Sequence, residues 1–176
     1  MYIKKRIFKT WEERYAEAKE KGIQLIGDKA IREAVIQSLN ENFKNKDILK
    51  EVKFPGFTAD LLMLKYDKTD SIVGIEIKSD RDSLSRLESQ LQGYLTYCNS
   101  VFVATTMAHK AGVEHILKKE KFQRVGLLIY TMTDTGNYMS CVKPVKRVDV
   151  KGLSTVWVTK KHQLYSYEYF LKMMWE

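Results

Sequence analysis

The chain has 176 residues, of which 44% are hydrophobic and 30% charged, and its formal net charge is +8 at pH 7. This length suits one domain whose core needs no disulfide or metal to hold it, and the composition excludes a disordered polymer. No apolar run approaches the ~20 residues of a membrane-spanning helix, and the start lacks a secretory signal, so we expect a cytoplasmic protein without a membrane partner.

Basic residues are concentrated in short stretches of the chain. These stretches are 4–6, 118–121, 143–147 and 160–161. Such clusters suit a polyanionic partner, but a charged face that serves solubility is an equal alternative when charge is the only observation. The choice therefore depends on residues that carry chemistry.

The cysteines and histidines show no spacing typical of metal ligands. Cys98 and Cys141 lie in apolar segments, which predicts buried free thiols rather than a disulfide. His109, His115 and His162 are scattered, and we assign them no chemistry. A zinc site is not expected.

Helices are predicted at the beginning of the chain. Thr10 and Glu13 form a capping box for an N-terminal helix over residues 10–21. Asp28 is a suitable N-cap for a second helix over residues 29–43, where apolar residues recur at helical spacing. This second helix begins the predicted core, residues 28–148.

Strand periodicity follows the second helix. The predicted strands are 48–54, 57–66 and 72–78, with a turn at 67–70 between the last two. An amphipathic helix over 83–98 and a buried strand over 101–105 come next. A strand, helix and strand in this order predict parallel pairing.

The remaining elements extend the sheet. We predict a helix over 109–119, a strand over 125–130, a turn over 133–137 and a strand over 138–148. The aromatic tail, 151–176, has no clean period, and a strand followed by a helix is its interpretation. Its aromatic residues suit core packing first and a dimer interface second, and stacking on the unpaired bases of a single strand is a further alternative.

The predicted hairpin brings acidic residues together. A turn centred on Lys68 pairs Asp60 directly with Glu76, and side chains at Glu76 and Lys78 share one face because side chains alternate along a strand. The neighbouring residues are apolar, so the strands should be buried on both faces. Facing carboxylates in such a place repel each other, and a divalent cation between them removes the repulsion.

This arrangement predicts a magnesium site. Carboxylate oxygens with no nearby histidine or cysteine suit a hard ion, so we expect Mg²⁺ held by Asp60 and Glu76, with Mn²⁺ as a substitute. Lys78 can orient or deprotonate a water and offset charge on a phosphoryl group, so the three residues describe phosphodiester hydrolysis. The alternative is an ordinary ion pair of Lys78 at a strand end.

These residues resemble the PD-(D/E)xK nuclease superfamily. Asp60 takes the first acidic position, Glu76-Ile77-Lys78 matches the E-x-K element, and Gln90-Leu91-Gln92-Gly93-Tyr94 is similar to the Q-L-x-x-Y motif of RecB-like nucleases. Residues 74–94 also resemble the MmcB-like proteins of DNA repair. The resemblance spans about residues 28–106 and departs from the pattern at Ala59, where the family has proline.

The resemblance implies a restriction-endonuclease-like fold, an α/β αβββαβ core with a mixed central sheet flanked by helices. It also implies further site residues. Gln90 would join the catalytic group and Arg86 and Tyr94 would contact nucleic acid, the alternative being a half-buried tyrosine with a hydrogen-bonded neighbour. Glu33 would supply a further metal ligand, or it is ordinary helix surface.

The expected function is a magnesium-dependent deoxyribonuclease of DNA repair, recombination or phage DNA metabolism. Its DNA partner could be double-stranded, branched or single-stranded. One alternative is a catalytically silent DNA-binding or interaction module on the same fold. Another is a resolvase of the Holliday-junction type, which requires a homodimer with paired sites.

Overall fold

The computed structural model describes residues 11–22, 24–54, 56–66 and 71–147. The helices are α1 (Trp11–Glu20), α2 (Asp28–Asn42), α3 (Leu87–Tyr97) and α4 (Met107–Leu117), with a 3-10 turn at Glu120–Phe122. The strands are β1 (Lys46–Phe54), β2 (Phe57–Lys65), β3 (Ser71–Lys78), β4 (Ser100–Thr105), β5 (Gly126–Thr133) and β6 (Gly136–Lys143). None of these helices is long and apolar enough to cross a bilayer.

The strands form one mixed six-stranded sheet whose spatial order follows chain order. β1, β2 and β3 are an antiparallel meander, β4 and β5 add in parallel, and β6 pairs antiparallel with β5. Parallel neighbours need a long crossover, which α3 and α4 supply. The fold is therefore α/β, and α2-β1-β2-β3-α3-β4 follows the predicted αβββαβ order.

Helices cover both faces of the sheet. On one face the α2 residues Ile31, Ala34 and Val35 pack on the sheet residues Leu61, Met63, Ile75 and Ile77. On the other face Leu87, Leu91 and Tyr94 of α3 and Val113 and Ile116 of α4 pack on Leu62 and Val103. Every residue of β3 is buried, so a charged side chain on this strand is costly unless it has partners.

Helix α3 begins at Leu87, later than the predicted Ser83. The Ser83 hydroxyl bonds to the hydroxyl and the amide of Ser85, and such local bonds compete with helix formation. Leu84 is nevertheless 4% exposed. The apolar spacing of this segment therefore correctly indicates that Leu84 is buried. The residues predicted as the first turn of the helix form a loop instead.

Other boundaries also differ from the predicted ones. Gly27, not Asp28, is the N-cap of α2, so Asp28 becomes the first helical residue. Strand β6 ends at Lys143, short of the predicted residue 148. Thr10, the turn at 67–70 and the tail over 151–176 lie outside the described residues.

The two cysteines have different surroundings. Cys98 is buried, as predicted, and burial raises the pKa of its thiol. Cys141 is exposed, which corrects the prediction of a buried thiol. The reason is its place in β6, a strand at the edge of the sheet.

Candidate functional site

The register of β2 and β3 runs from Lys65 opposite Ser71 to Leu61 opposite Ile75, which is the register predicted for the hairpin. Asp60 and Glu76 are the next residues beyond that last pair. The predicted register is therefore confirmed along the paired residues.

The Asp60 carboxylate lies where the pairing of β2 with β3 ends. Its Oδ2 accepts a hydrogen bond from the Ile77 amide at 2.7 Å, which continues the link between the strands. Burial raises the pKa of Asp60, while the Ile77 amide and the charge of Lys78 act in the opposite direction. Among the described residues, none donates a hydrogen bond to Asp60 Oδ1.

Glu76 is 1% exposed and lies near the end of β3, an interior strand of the sheet. Its Oε1 accepts from Lys78 Nζ at 2.6 Å, but its Oε2 has no hydrogen-bond partner, the single such buried side-chain atom in the described residues. Burial raises the pKa of Glu76 to about 7; the ammonium of Lys78 and the nearby Tyr94 hydroxyl oppose this effect, and the charge of Asp60 adds to it. The Tyr94 hydroxyl is near Glu76 but does not have the geometry of a hydrogen bond to Oε2. A buried acceptor left unpaired costs about 1–3 kcal/mol, so this oxygen is an energetically unfavourable feature of the folded chain.

Lys78 has a side chain that is 6% exposed. Its Nζ donates to Glu76 Oε1 at 2.6 Å and to Gln90 Oε1 at 2.9 Å. An ammonium carries three donors, and the described residues use no more than these two. The predicted Gln90 is thus brought to Lys78, which it orients from helix α3.

Tyr94 is fully buried and lies behind the site. Its hydroxyl accepts from the Asp60 amide at 2.8 Å and donates to the Ile75 carbonyl at 3.2 Å, which bridges the two strands. A Cβ at Gly74 would lie 2.4 Å from Tyr94 Cδ1, so the ring needs a glycine on β3. Because the ring has no exposed surface, Tyr94 is a positioning residue rather than the predicted nucleic-acid contact.

Glu33 is not brought to the site. Its side chain is 67% exposed and lies 3.9 Å from Lys29, and it lines an open groove between α2 and β1 with Gln37 and Lys50. Since Glu33 points away from the buried face of α2, the structure corrects its prediction as a metal ligand. Its surroundings are those of ordinary helix surface.

Arg32 contacts the site instead, and the sequence reasoning missed it. Its Nη1 donates to the Asp60 carbonyl at 2.9 Å, while its Nε and Nη2 bind the Asp28 carboxylate. A signal existed, because Asp28 and Arg32 are four residues apart on one helix. Nothing in the sequence indicated that this pair would meet the strand that carries Asp60.

Asp80 was also missed. It is 5% exposed, its Oδ2 accepts from the Ile26 amide at 2.7 Å, and its Oδ1 accepts from the Thr106 hydroxyl. These bonds tie the end of β3 to the segment before α2 and to the start of α4. Asp80 therefore fixes the position of the end of β3, next to Lys78.

Arg86 is exposed at the N-terminus of α3, where its carbonyl accepts from the Gln90 amide at 3.0 Å. Its guanidinium has no partner among the described residues. The predicted contact with nucleic acid remains a prediction for this side chain.

The donors at the site fit a hard divalent cation. Glu76 Oε2 is buried without a partner, and the charge of the neighbouring Asp60 is near enough to raise the pKa of Glu76. Within the described ranges no group of three or more histidine, cysteine, aspartate or glutamate side chains could hold a metal. Magnesium is typically bound by one or two protein carboxylates and waters, so Asp60 and Glu76 would be the residues that hold it.

Comparisons with known proteins place the chain in a family. No curated protein matches it. A solved structure of a protein of unknown function from Silicibacter pomeroyi is similar, with a TM-score of 0.53, 19% identity, and coverage of 83% of this chain and 84% of that one; this supports the fold alone. The family described as bacteriophage P4 protein cII matches residues 29–158, most of the chain and all of its α/β core. The chain belongs to the bacteriophage P4 protein cII family.

Proposed function

We propose that this protein is a magnesium-dependent nuclease that hydrolyses phosphodiester bonds in DNA. The observation that carries the proposal is Glu76 Oε2, a buried carboxylate oxygen without a partner, beside Asp60 and Lys78. An interior that only needed stability would pair this oxygen or replace the acid with an apolar residue. A ligand that arrives from outside explains why the oxygen stays unpaired.

Each residue has a separate part in this proposal. Asp60 and Glu76 would hold the cation, which when bound polarises a phosphoryl oxygen. Lys78 keeps one donor for the phosphate or the attacking water, while Gln90 and Glu76 fix the direction of its ammonium. A fixed ammonium stabilises the charge that develops on the phosphoryl oxygens because it needs no reorganisation during the reaction.

DNA is the proposed substrate class because the chain is basic, with a net charge of +8, and phosphate groups dominate the affinity of nucleic acids for basic proteins. Membership in a family described as a bacteriophage protein favours phage DNA metabolism, in the cytoplasm, among the predicted settings. A dimeric resolvase is a special case of this activity and requires a second copy of the site.

The test is cleavage of labelled duplex, branched and single-stranded DNA in Mg²⁺, in Mn²⁺ and in a chelator. We expect the parent protein to cut at least one substrate with either ion, and Asp60→Asn to cut none. Asp47→Asn is the matched control, because Asp47 is an exposed acid whose carboxylate accepts from the Tyr66 hydroxyl. Intact substrates in every arm, with a folded parent protein, would contradict the proposal.

A silent DNA-binding module is the second candidate. It is favoured by the absence of a third ligating side chain near Asp60 and Glu76 within the described residues. A ligand that binds the native state raises its stability, by about 2.7 kcal/mol at a hundred times its dissociation constant. Thermal unfolding with and without Mg²⁺ therefore separates the candidates, since an abandoned site gives no shift.

A further inference from the structure

The loop between β3 and α3, residues 79–86, carries two arginines without partners. Arg81 and Arg86 are both exposed, and neither guanidinium forms a hydrogen bond or an ion pair with a described residue. By contrast, Arg32 binds Asp28 and Arg124 donates to the Leu95 carbonyl at 2.7 Å. Among the arginine side chains that the structure describes, the unpaired guanidinium groups are thus those of the loop that follows Lys78 directly.

The acids beside Arg81 are engaged elsewhere. The Asp80 carboxylate accepts from the Ile26 amide and the Thr106 hydroxyl. The Asp82 carboxylate accepts from the amide and the hydroxyl of Ser79 at 2.7 and 2.6 Å. The Asp80 carboxylate is therefore bonded to segments outside the loop and the Asp82 carboxylate to the start of the loop, and neither forms an ion pair with Arg81.

These bonds also hold the loop in place. The Asp80 amide donates to the Ile26 carbonyl at 3.0 Å and the Asp82 amide to the Ser79 carbonyl at 3.0 Å. The two guanidinium groups are consequently carried by backbone that is already ordered, and binding through them costs less conformational entropy.

Arg86 is linked to the site through α3. Gln90 is four residues later, so the two side chains lie on the same side of the helix about one turn, or ~5.4 Å, apart. Gln90 Oε1 is 2.9 Å from Lys78 Nζ. Arg81 lies near the other end of the loop, three residues after Lys78 in the chain.

We propose that Arg81 and Arg86 bind the DNA phosphates that flank the phosphate held at Asp60, Glu76 and Lys78. This inference rests on the proposed function and adds to it the surface that positions the strand. Guanidinium groups suit phosphates because their planar donors can bind two oxygens at once. Exposed and unpaired in the described residues, they are free to do so.

The test measures DNA binding in a chelator, so that cleavage does not interfere. Fluorescence anisotropy of a labelled duplex is recorded over a range of KCl concentrations for the parent and for Arg81→Gln/Arg86→Gln. Each lost phosphate contact should lower the slope of log affinity against log salt by about 0.9. We expect the double variant to bind more weakly, with a slope about 1.8 shallower.

The matched control is Lys44→Gln/Lys118→Gln, which removes the same charge from exposed lysines. Lys44 precedes the start of β1 and Lys118 follows the end of α4, so both lie at the end of the sheet opposite Lys78. We expect its slope to equal that of the parent. Thermal unfolding checks that both double variants keep their fold, and the single variants Arg81→Gln and Arg86→Gln should each give about half the slope change.

The outcomes separate the two proposals. An unchanged slope in Arg81→Gln/Arg86→Gln, or an equal loss in the lysine control, overturns this inference and leaves cleavage by the parent untouched. A parent protein that binds no DNA overturns the inference, and cleavage assayed in parallel decides the proposed function on its own.

Discussion

Two buried acids near the end of β3 have opposite surroundings. Asp80 is 5% exposed and both of its oxygens accept hydrogen bonds. Glu76 is 1% exposed, one of its oxygens has no partner, and burial raises its pKa to about 7. The difference separates a carboxylate whose two oxygens are bonded within the fold from one that, under the proposed function, would bind a cation, although both side chains are almost completely buried.

The largest effect on cleavage is expected from substitution of Lys78, whose ammonium donates a hydrogen bond to Glu76. Lys78→Ala should lower cleavage by about 10²–10³-fold or more, since it removes a preorganised charge beside the phosphate, and should leave DNA binding in a chelator close to that of the parent. Gel assays of cleavage and anisotropy measure the two effects.

Two companion variants make the Lys78 result specific. Lys78→Gln keeps a polar group beside Gln90 and should lose cleavage equally, which excludes simple truncation as the cause. Lys118→Ala, at an exposed lysine, should cleave like the parent. Undiminished cleavage by Lys78→Gln would remove Lys78 from the chemistry.

Asp80 should matter for stability instead. Asp80→Ala leaves the Ile26 amide and the Thr106 hydroxyl without their acceptor, and each unsatisfied buried group costs about 1–3 kcal/mol, so we expect a loss of roughly 2–5 kcal/mol. Urea denaturation in a chelator measures it, with the exposed Asp47→Ala as control. A loss of cleavage without a loss of stability would mean that Asp80 belongs to the catalytic group.

Removing the Glu76 carboxyl should change the stability of the fold in a way that depends on pH. Between pH 4.5 and about 7 the folded protein keeps a Glu76 proton that the unfolded chain has released, so the stability of the metal-free parent falls as the pH rises through this range. Glu76→Gln lacks this proton, and its advantage over the parent should grow to at most about 3 kcal/mol by pH 8.

Urea denaturation in a chelator at pH 4.5, 6 and 8 measures the Glu76 effect. The pKa of Asp60 is also raised and acts in the same direction, which is why the comparison is with Glu76→Gln rather than with the parent alone. A constant difference between the two proteins across this range would show that Glu76 does not carry the perturbed titration.

Much of the site could be predicted because its geometry is local to one hairpin. Alternation along β3 places Glu76 and Lys78 on one face, and the turn residues set the register that puts Asp60 opposite Glu76. Gln90 was predicted from a motif, and helical spacing puts it on the side of α3 that meets the sheet.

The errors share a cause. A helical wheel gives the direction of Glu33 relative to its own helix but does not show where the sheet lies. Arg32, and not Glu33, is the residue of α2 that contacts Asp60. The role of Tyr94 depended on Gly74 in another element, which leaves room for its ring. The start of α3 depends on hydrogen bonds between Ser83 and Ser85, which the spacing of apolar residues does not indicate.

The sequence by itself determined the order of the elements, the hairpin register and the convergence of Asp60 with Glu76 and Lys78, because these follow from interactions between residues close along the chain. The tertiary structure decided which acid is satisfied and which is not. That choice depends on donors from distant segments, such as the Ile26 amide and the Thr106 hydroxyl, whose arrival is set by how the helices pack on the sheet.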